Sequence, residues 1–291
     1  MWNRILILSA AALAATPLSA RAPIPLAIFT DPVRDVRHPA RMEVLHVPSG
    51  AVTLNGIDYL AAGAGPHPTL VIMHGLPGNE KNLDLTQAVR RAGWNAVTFN
   101  YRGSWGSPGR FSFAGNLEDG PAVLAYLRDP GKAAALGIDP SRIALAGHSM
   151  GGWVAAMTAE RDPKLMGTAL ISAANMGGLQ LGHARGPDFM AENMESLATS
   201  AQAMADEVER LQPQLDWTPG AAGLARRPLL VLSSDDGLAP GTDALASAVR
   251  GVRGAQVTTL HVATDHGWSD RRIRLQSEVI RWLATLKRVP Q

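Results

Sequence analysis

At 291 residues the chain is long enough to bury a substantial core, as one large domain or two small ones. Its 46% hydrophobic and 18% charged content is ordinary for a globular protein, and a formal net charge of +2 excludes a basic surface built for nucleic acid. The absence of cysteine excludes disulfides and a lipid-bearing cysteine anchor.

The first twenty residues stand apart. Met1-Trp2-Asn3-Arg4 is a short positive start, Ile5 to Ala15 is apolar, and Thr16-Pro17-Leu18-Ser19-Ala20 ends in small residues. This layout predicts a secretory signal peptide over 1–20, cleaved after Ala20, and hence a periplasmic or secreted protein. The apolar run is too short to cross a bilayer, so no stable membrane insertion is expected. Export into an oxidising compartment is compatible with a chain that has no thiols.

The mature chain, 21–291, then alternates between two periodicities. Arg41 to Val47 and Ala51 to Ala61 alternate around a Ser49-Gly50 turn and predict an antiparallel hairpin. Thr69 to Met73 is a continuous apolar run suited to a strand buried on both faces. A helix is expected over Asn82 to Ala92, a strand over Trp94 to Asn100, and a helix capped by Asn116 running to about Arg128, with Glu118 and Asp119 in its first turn. Further strands are expected at Arg142 to Ala146, Gly167 to Ser172, Pro228 to Leu232 and Val257 to Val262. Helices are expected around Thr242 to Arg250 and from about Ser269 to Leu286.

Residues 175–226 interrupt this alternation. They contain no buried strand pattern, and Phe189 to Leu211 places Met190, Met194, Leu197, Met204, Val208 and Leu211 at helical steps. A helical cap is expected there. The remaining alternation implies an α/β fold with a doubly wound, mostly parallel sheet, in which ligands bind beyond the carboxyl ends of the strands.

Between the strand at Arg142 to Ala146 and the helix that starts near Gly152 lies Gly147-His148-Ser149-Met150-Gly151. A G-x-S-x-G sequence between strand and helix is the context of a nucleophile elbow. Small residues on either side keep neighbouring Cβ atoms clear of a strained turn. The serine hydroxyl then stands at the sheet edge, over the positive end of a helix. Ser149 is the candidate nucleophile.

The elbow, together with His74-Gly75-Leu76-Pro77-Gly78, Tyr101-Arg102-Gly103, Asp235-Asp236-Gly237-Leu238-Ala239-Pro240 and Asp265-His266-Gly267-Trp268-Ser269, resembles the α/β-hydrolase family over nearly all of the mature chain. The likeness is greatest to serine hydrolases of its prolyl-oligopeptidase-like and dienelactone-hydrolase-like branches. The family order is nucleophile, acid, histidine. Only His261 and His266 follow the candidate acids; His261 falls inside a strand pattern, whereas His266 lies in a loop beside Gly267. The resemblance therefore implies His266 as base. Asp235 and Asp236 both qualify by position as the acid that orients the ring. The family spacing sets a proline four residues after the acid, and Pro240 selects Asp236. The resemblance further implies an oxyanion hole from the N–H groups of Leu76 and Met150, with His74 a structural residue under the turn.

The expected function is an exported serine hydrolase acting on small carboxylic esters. The alternative in the same fold is an exopeptidase, for which an acidic cluster among Glu192, Glu195, Asp206, Glu207 and Glu209 would be needed to hold a substrate N-terminus. A non-catalytic binding protein of this fold would be expected to lack a triad member, and none is missing. No metal-ligand spacing, phosphate cradle or dinucleotide fingerprint is present, so no cofactor or metal is expected. The expected partner is a small-molecule ester or a short peptide.

Overall fold

The alternating strands of the hairpin and the continuously apolar strands pair into one sheet, and helices cover both of its faces. The computed structural model describes residues 23–179 and 182–287. The signal segment expected over 1–20 lies outside the described residues. The strands are β1 (Arg41–Ser49), β2 (Val52–Leu60), β3 (His67–Met73), β4 (Asn95–Phe99), β5 (Ile138–His148), β6 (Thr168–Ile171), β7 (Leu229–Ser233) and β8 (Val257–His261). Their order in the sheet is β1-β2-β4-β3-β5-β6-β7-β8. The first two strands form the expected hairpin, β2 pairs antiparallel with β4, and every other pairing is parallel.

The helices are α1 (Leu83–Arg91), α2 (Phe113–Arg128), α3 (Pro130–Leu136), α4 (Met150–Ala159), α5 (Gly182–Ala191), α6 (Ala201–Leu215), α7 (Ala221–Leu224), α8 (Ala239–Arg250) and α9 (Arg272–Thr285). Strand β3 shows how the double winding arises. Its alternate side chains Leu70 and Ile72 join a core with Leu85 and Val89 of α1 and Val279 and Leu283 of α9. Val71 and Met73 enter the opposite core with Leu124 of α2, Val154 of α4 and Leu245 of α8. The sheet is thus doubly wound, as the alternation of the sequence implies.

Two local readings need correction. The cap of α2 is Ser112, whose side chain accepts from the Gly115 N–H at 3.0 Å. Asn116 lies within the helix and is fully buried, while Glu118 and Asp119 sit beyond the first turn and grip Arg102. The period-based helix over Phe189 to Leu211 is two helices, α5 and α6. Between them the chain leaves the helical path and pairs with the loop after β4. Leu197 bridges Ser104, the Ala198 N–H donates to the Gly103 carbonyl at 2.7 Å, and the Phe111 N–H donates to the Ala198 carbonyl at 3.2 Å. Ser200 then restarts the helix by accepting from the Ala203 N–H. The apolar stripe survives the break: Met190, Met204 and Val208 are buried, and Met194, Leu197 and Leu211 pack against the same core.

The β6–β7 connection is anchored from below as well. The Trp153 indole of α4 donates to the Leu215 carbonyl at 2.6 Å. The Glu207 carboxylate of α6 accepts from the Phe113 and Ala114 N–H groups at 3.0 and 2.9 Å. Glu207 is therefore not a surface residue of an exposed helix. It completes the first turn of α2, where a negative charge is favoured.

Candidate active site

Ser149 joins β5 to α4 with no loop between them. Its φ of 57° and ψ of −126° lie in a region an ordinary side chain seldom occupies. The local sequence makes that turn possible. A Cβ at Gly147 would meet the Gly151 carbonyl oxygen at 2.1 Å, and one at Gly151 would meet the Met73 carbonyl oxygen at 2.1 Å. Neighbouring strands fix the elbow further: the Ser149 N–H donates to Ile171 at 3.0 Å, and its carbonyl accepts from Ala174 at 3.1 Å.

The turn after β3 comes up against this serine. A Cβ at Gly75 would lie 2.8 Å from the Ser149 Cβ, so only glycine lets the two loops meet. His74 lies buried beneath the turn, and its Nδ1 is 2.7 Å from the Gly75 carbonyl oxygen. That oxygen belongs to the peptide unit that carries the Leu76 N–H. Holding one end of the plane fixes the direction of the other, so the structural part expected of His74 has a specific geometry. Burial pushes the His74 ring down to about 4, which keeps it uncharged. Among the described residues, loop hydrogen bonds leave the Leu76 N–H without an acceptor. Met150 is the first residue of α4, where an N–H has no partner within the helix.

Asp236 and His266 arrive on the loops after β7 and β8. Asp236 Oδ2 is 2.7 Å from His266 Nδ1, with the carboxylate side chain 5% exposed and the ring 41% exposed. Burial pushes the Asp236 carboxyl up, but the His266 ring, the Leu238 N–H and the Ser234 hydroxyl together hold it below its ordinary value. It is therefore an anion beside the ring. Asp235, its neighbour, points elsewhere: its Oδ1 is 2.8 Å from Nε2 of the strand residue His261, at the surface. Asp265 accepts from the Ser269 N–H at 2.7 Å and serves the turn. The described hydrogen bonds join Asp236 to His266 but include none between the Ser149 hydroxyl and His266.

Several residues that hold these loops were not legible as site residues. The Trp268 indole donates to Ser172 Oγ at 3.0 Å, and Ser172 Oγ lies 2.7 Å from Ser234 Oγ. This chain ties the segment after His266 to the segment before Asp236. Arg272 donates to the Gly267 carbonyl at 2.9 Å and to Asp84 Oδ2 at 2.8 Å, tethering the same loop to α1. His148, beside Ser149, packs its ring 4.6 Å from that of His266. Trp105 donates to the Pro77 carbonyl at 2.9 Å and supports the turn at Leu76 from the other side. Among the described residues no group of histidine and carboxylate side chains is placed to hold a metal ion, and no helix is long and apolar enough to cross a membrane.

The fold, with Ser149 at the turn from β5 to α4 and Asp236 and His266 on the loops after β7 and β8, defines a class. A family model for the alpha/beta hydrolase fold matches residues 75–268, and the chain belongs to that family. An uncharacterised protein of Mycobacterium tuberculosis is 29% identical over 126 residues, which cover 43% of this chain and 43% of that protein. The chain thus spans less than half the length of that relative. Among solved structures, the carboxylesterase EstE1, cloned from a metagenomic library, is similar with a TM-score of 0.64 at 20% identity, over 85% of this chain and 91% of that one. The acylaminoacyl peptidase of Pyrococcus horikoshii is similar with a TM-score of 0.62 at 17% identity, over 87% of this chain and 42% of that one. At these identities the structural likeness establishes the fold.

Proposed function

We propose that the protein is an exported serine hydrolase that cleaves small carboxylic esters through an acyl-enzyme. The observation that carries this reading is the 2.7 Å contact between Asp236 Oδ2 and His266 Nδ1, on loops that flank the strained elbow at Ser149. With Nδ1 engaged, Nε2 is the nitrogen free to exchange a proton. Ser149 Oγ attacks the acyl carbon while His266 Nε2 takes the hydroxyl proton. Negative charge moves onto the former carbonyl oxygen, where the Leu76 and Met150 N–H groups stabilise it. Collapse of the tetrahedral intermediate expels the alcohol, which takes the proton from His266. Water then attacks the acyl-enzyme by the same exchange, with Asp236 holding the ring and stabilising its charged form.

The β6–β7 connection serves as the cap. Its methionines are flexible and suit a wall that adapts to several acyl groups. Coverage from above limits access, so small neutral or apolar esters are preferred and folded proteins refused. A peptidase would need a free carboxylate for the substrate amine. Glu207, the buried acid of the connection, is already committed to the N-terminus of α2, and Glu192, Glu195, Asp206 and Glu209 are exposed. The deciding experiment is labelling with a fluorophosphonate, then turnover of a panel of aryl esters and aminoacyl amides. Labelling at Ser149 with ester turnover supports the reading. Absence of labelling, or turnover of aminoacyl amides alone, overturns it.

A further inference from the structure

His148 is the last residue of β5 and immediately precedes the elbow serine. Its Nε2 lies 2.8 Å from the main-chain oxygen of His266, its ring sits 4.6 Å from the His266 ring at 44°, and it is 5% exposed. A carbonyl oxygen only accepts, so the proton on this ring must be on Nε2. The other tautomer would set a nitrogen lone pair against an oxygen lone pair at hydrogen-bond distance. Among the described residues Nδ1 is buried with no hydrogen-bond partner, which is tolerable for a bare lone pair and costly for an N–H.

The connection has a geometric consequence. His266 lies on the loop between β8 and α9, while Ser149 directly follows the last residue of β5. Strands β6 and β7 lie between these two strands in the sheet. A bond from residue 148 to the backbone of residue 266 spans that gap directly and sets base against nucleophile through one peptide unit. Arg272 grips the next carbonyl, that of Gly267, so two consecutive carbonyls of the loop are held by two donors.

We propose that His148 is a positioning residue: its uncharged ring donates Nε2–H to the His266 carbonyl and registers the base against Ser149. This rests on the serine-hydrolase reading above. The charged and titratable groups facing His148 are His266 and Asp236 on the loops and Arg272 on α9. Burial is the main reason its ring is pushed down to about 4; the charge of protonated His266 and that of Arg272 act in the same sense, while the bond to the His266 carbonyl and the Asp236 carboxylate oppose them. A ring that stays neutral leaves His266 as the one member of the pair that takes up the proton during turnover. A second positive charge beside it would oppose that step.

Two measurements test this. In ¹⁵N-histidine NMR of the wild-type protein, His148 is expected to remain the neutral Nε2–H tautomer from pH 5.5 to 8.5; a proton on Nδ1, or titration inside that range, overturns the proposal. Kinetically, His148→Leu should lower kcat roughly ten- to a hundred-fold, as a small misplacement of a catalytic group does, with KM nearly unchanged. His148→Gln, which keeps a donor, should recover most of the loss. Rates are taken per active site titrated with fluorophosphonate, which separates a positioning effect from loss of folded protein. Wild-type kcat in His148→Leu, or no recovery in His148→Gln, overturns it. Failure of the wild type to label at Ser149 would instead sink the hydrolase reading, and the NMR result would stand apart from that outcome.

Discussion

Asp236 and His266 meet at 2.7 Å, although they lie thirty positions apart in the sequence with the whole of α8 and β8 between them. Asp235, one residue earlier, binds His261 at the surface instead. The pair therefore offers an internal control. Asp236→Asn should lower kcat roughly ten-thousand-fold, because an amide opposite Nδ1 no longer enforces the required tautomer. Asp235→Asn should cost less than about threefold, since it breaks only an exposed pair. Both variants are to be measured as kcat/KM on one aryl ester. A mild Asp236→Asn beside a damaging Asp235→Asn would reverse the assignment.

In the proposed mechanism Ser149→Ala removes the attacking oxygen and leaves the rest of the site in place. Turnover should fall on the order of a million-fold, as loss of the triad serine does in other hydrolases. Covalent labelling by the fluorophosphonate should vanish with it. Full labelling of the alanine variant would place the nucleophile elsewhere.

Glu207 joins α6 to the first turn of α2, where Ser112 satisfies a third N–H. Glu207→Ala strips acceptors from two N–H groups at a helix start, one of them on the fully buried Phe113. A loss on the order of 2 kcal/mol is expected in urea unfolding, with Glu207→Gln losing less because one oxygen remains. The connection should also loosen, so preference among acyl chain lengths should shift while labelling of Ser149 persists. An alanine variant as stable as the wild type would mean that the contact is incidental.

The legibility of the chain follows the range of the forces involved. The elbow could be read because Gly147, Ser149 and Gly151 answer to steric demands within five residues. His266 could be read because chain order and loop position isolate it. Asp236 needed the spacing to Pro240, since the residues alone leave it equal to Asp235. His148, Trp268, Ser172 and Arg272 were not legible in these roles: their partners lie on loops that meet only when the sheet closes. The misread helix over 189–211 has a related cause. Apolar periodicity records which side chains are buried, and Met194 and Leu197 are packed, but it is blind to the strand-like pairing of Leu197 and Ala198 that breaks the helix. Residue type points to Asn116 as a cap, whereas the cap is Ser112, one turn earlier.

Asp58 offers a test of stability against pH. It lies in the middle of β2, opposite Glu43 of β1, on the face that packs into the core with Leu54 and Leu60. Among the described residues neither of its carboxyl oxygens has a hydrogen-bond partner. Burial pushes its carboxyl up to about 7, with Glu43 adding to the rise and Arg41 opposing it. The folded value stands above the unfolded value of 3.8, so between about 4 and 7 the folded protein holds a proton that the unfolded chain releases. Stability should therefore fall as pH rises through that window, by up to about 1.4 kcal/mol per unit from this residue alone, and level off above it. Asp58→Asn removes the ionisation without changing the shape. The variant should be more stable than the wild type at pH 8, by a few kcal/mol, and close to it at pH 4.5. Urea unfolding of both proteins at the two pH values measures the difference. An advantage of equal size at both values would show that the asparagine acts through packing, and that Asp58 carries no excess proton in the folded state.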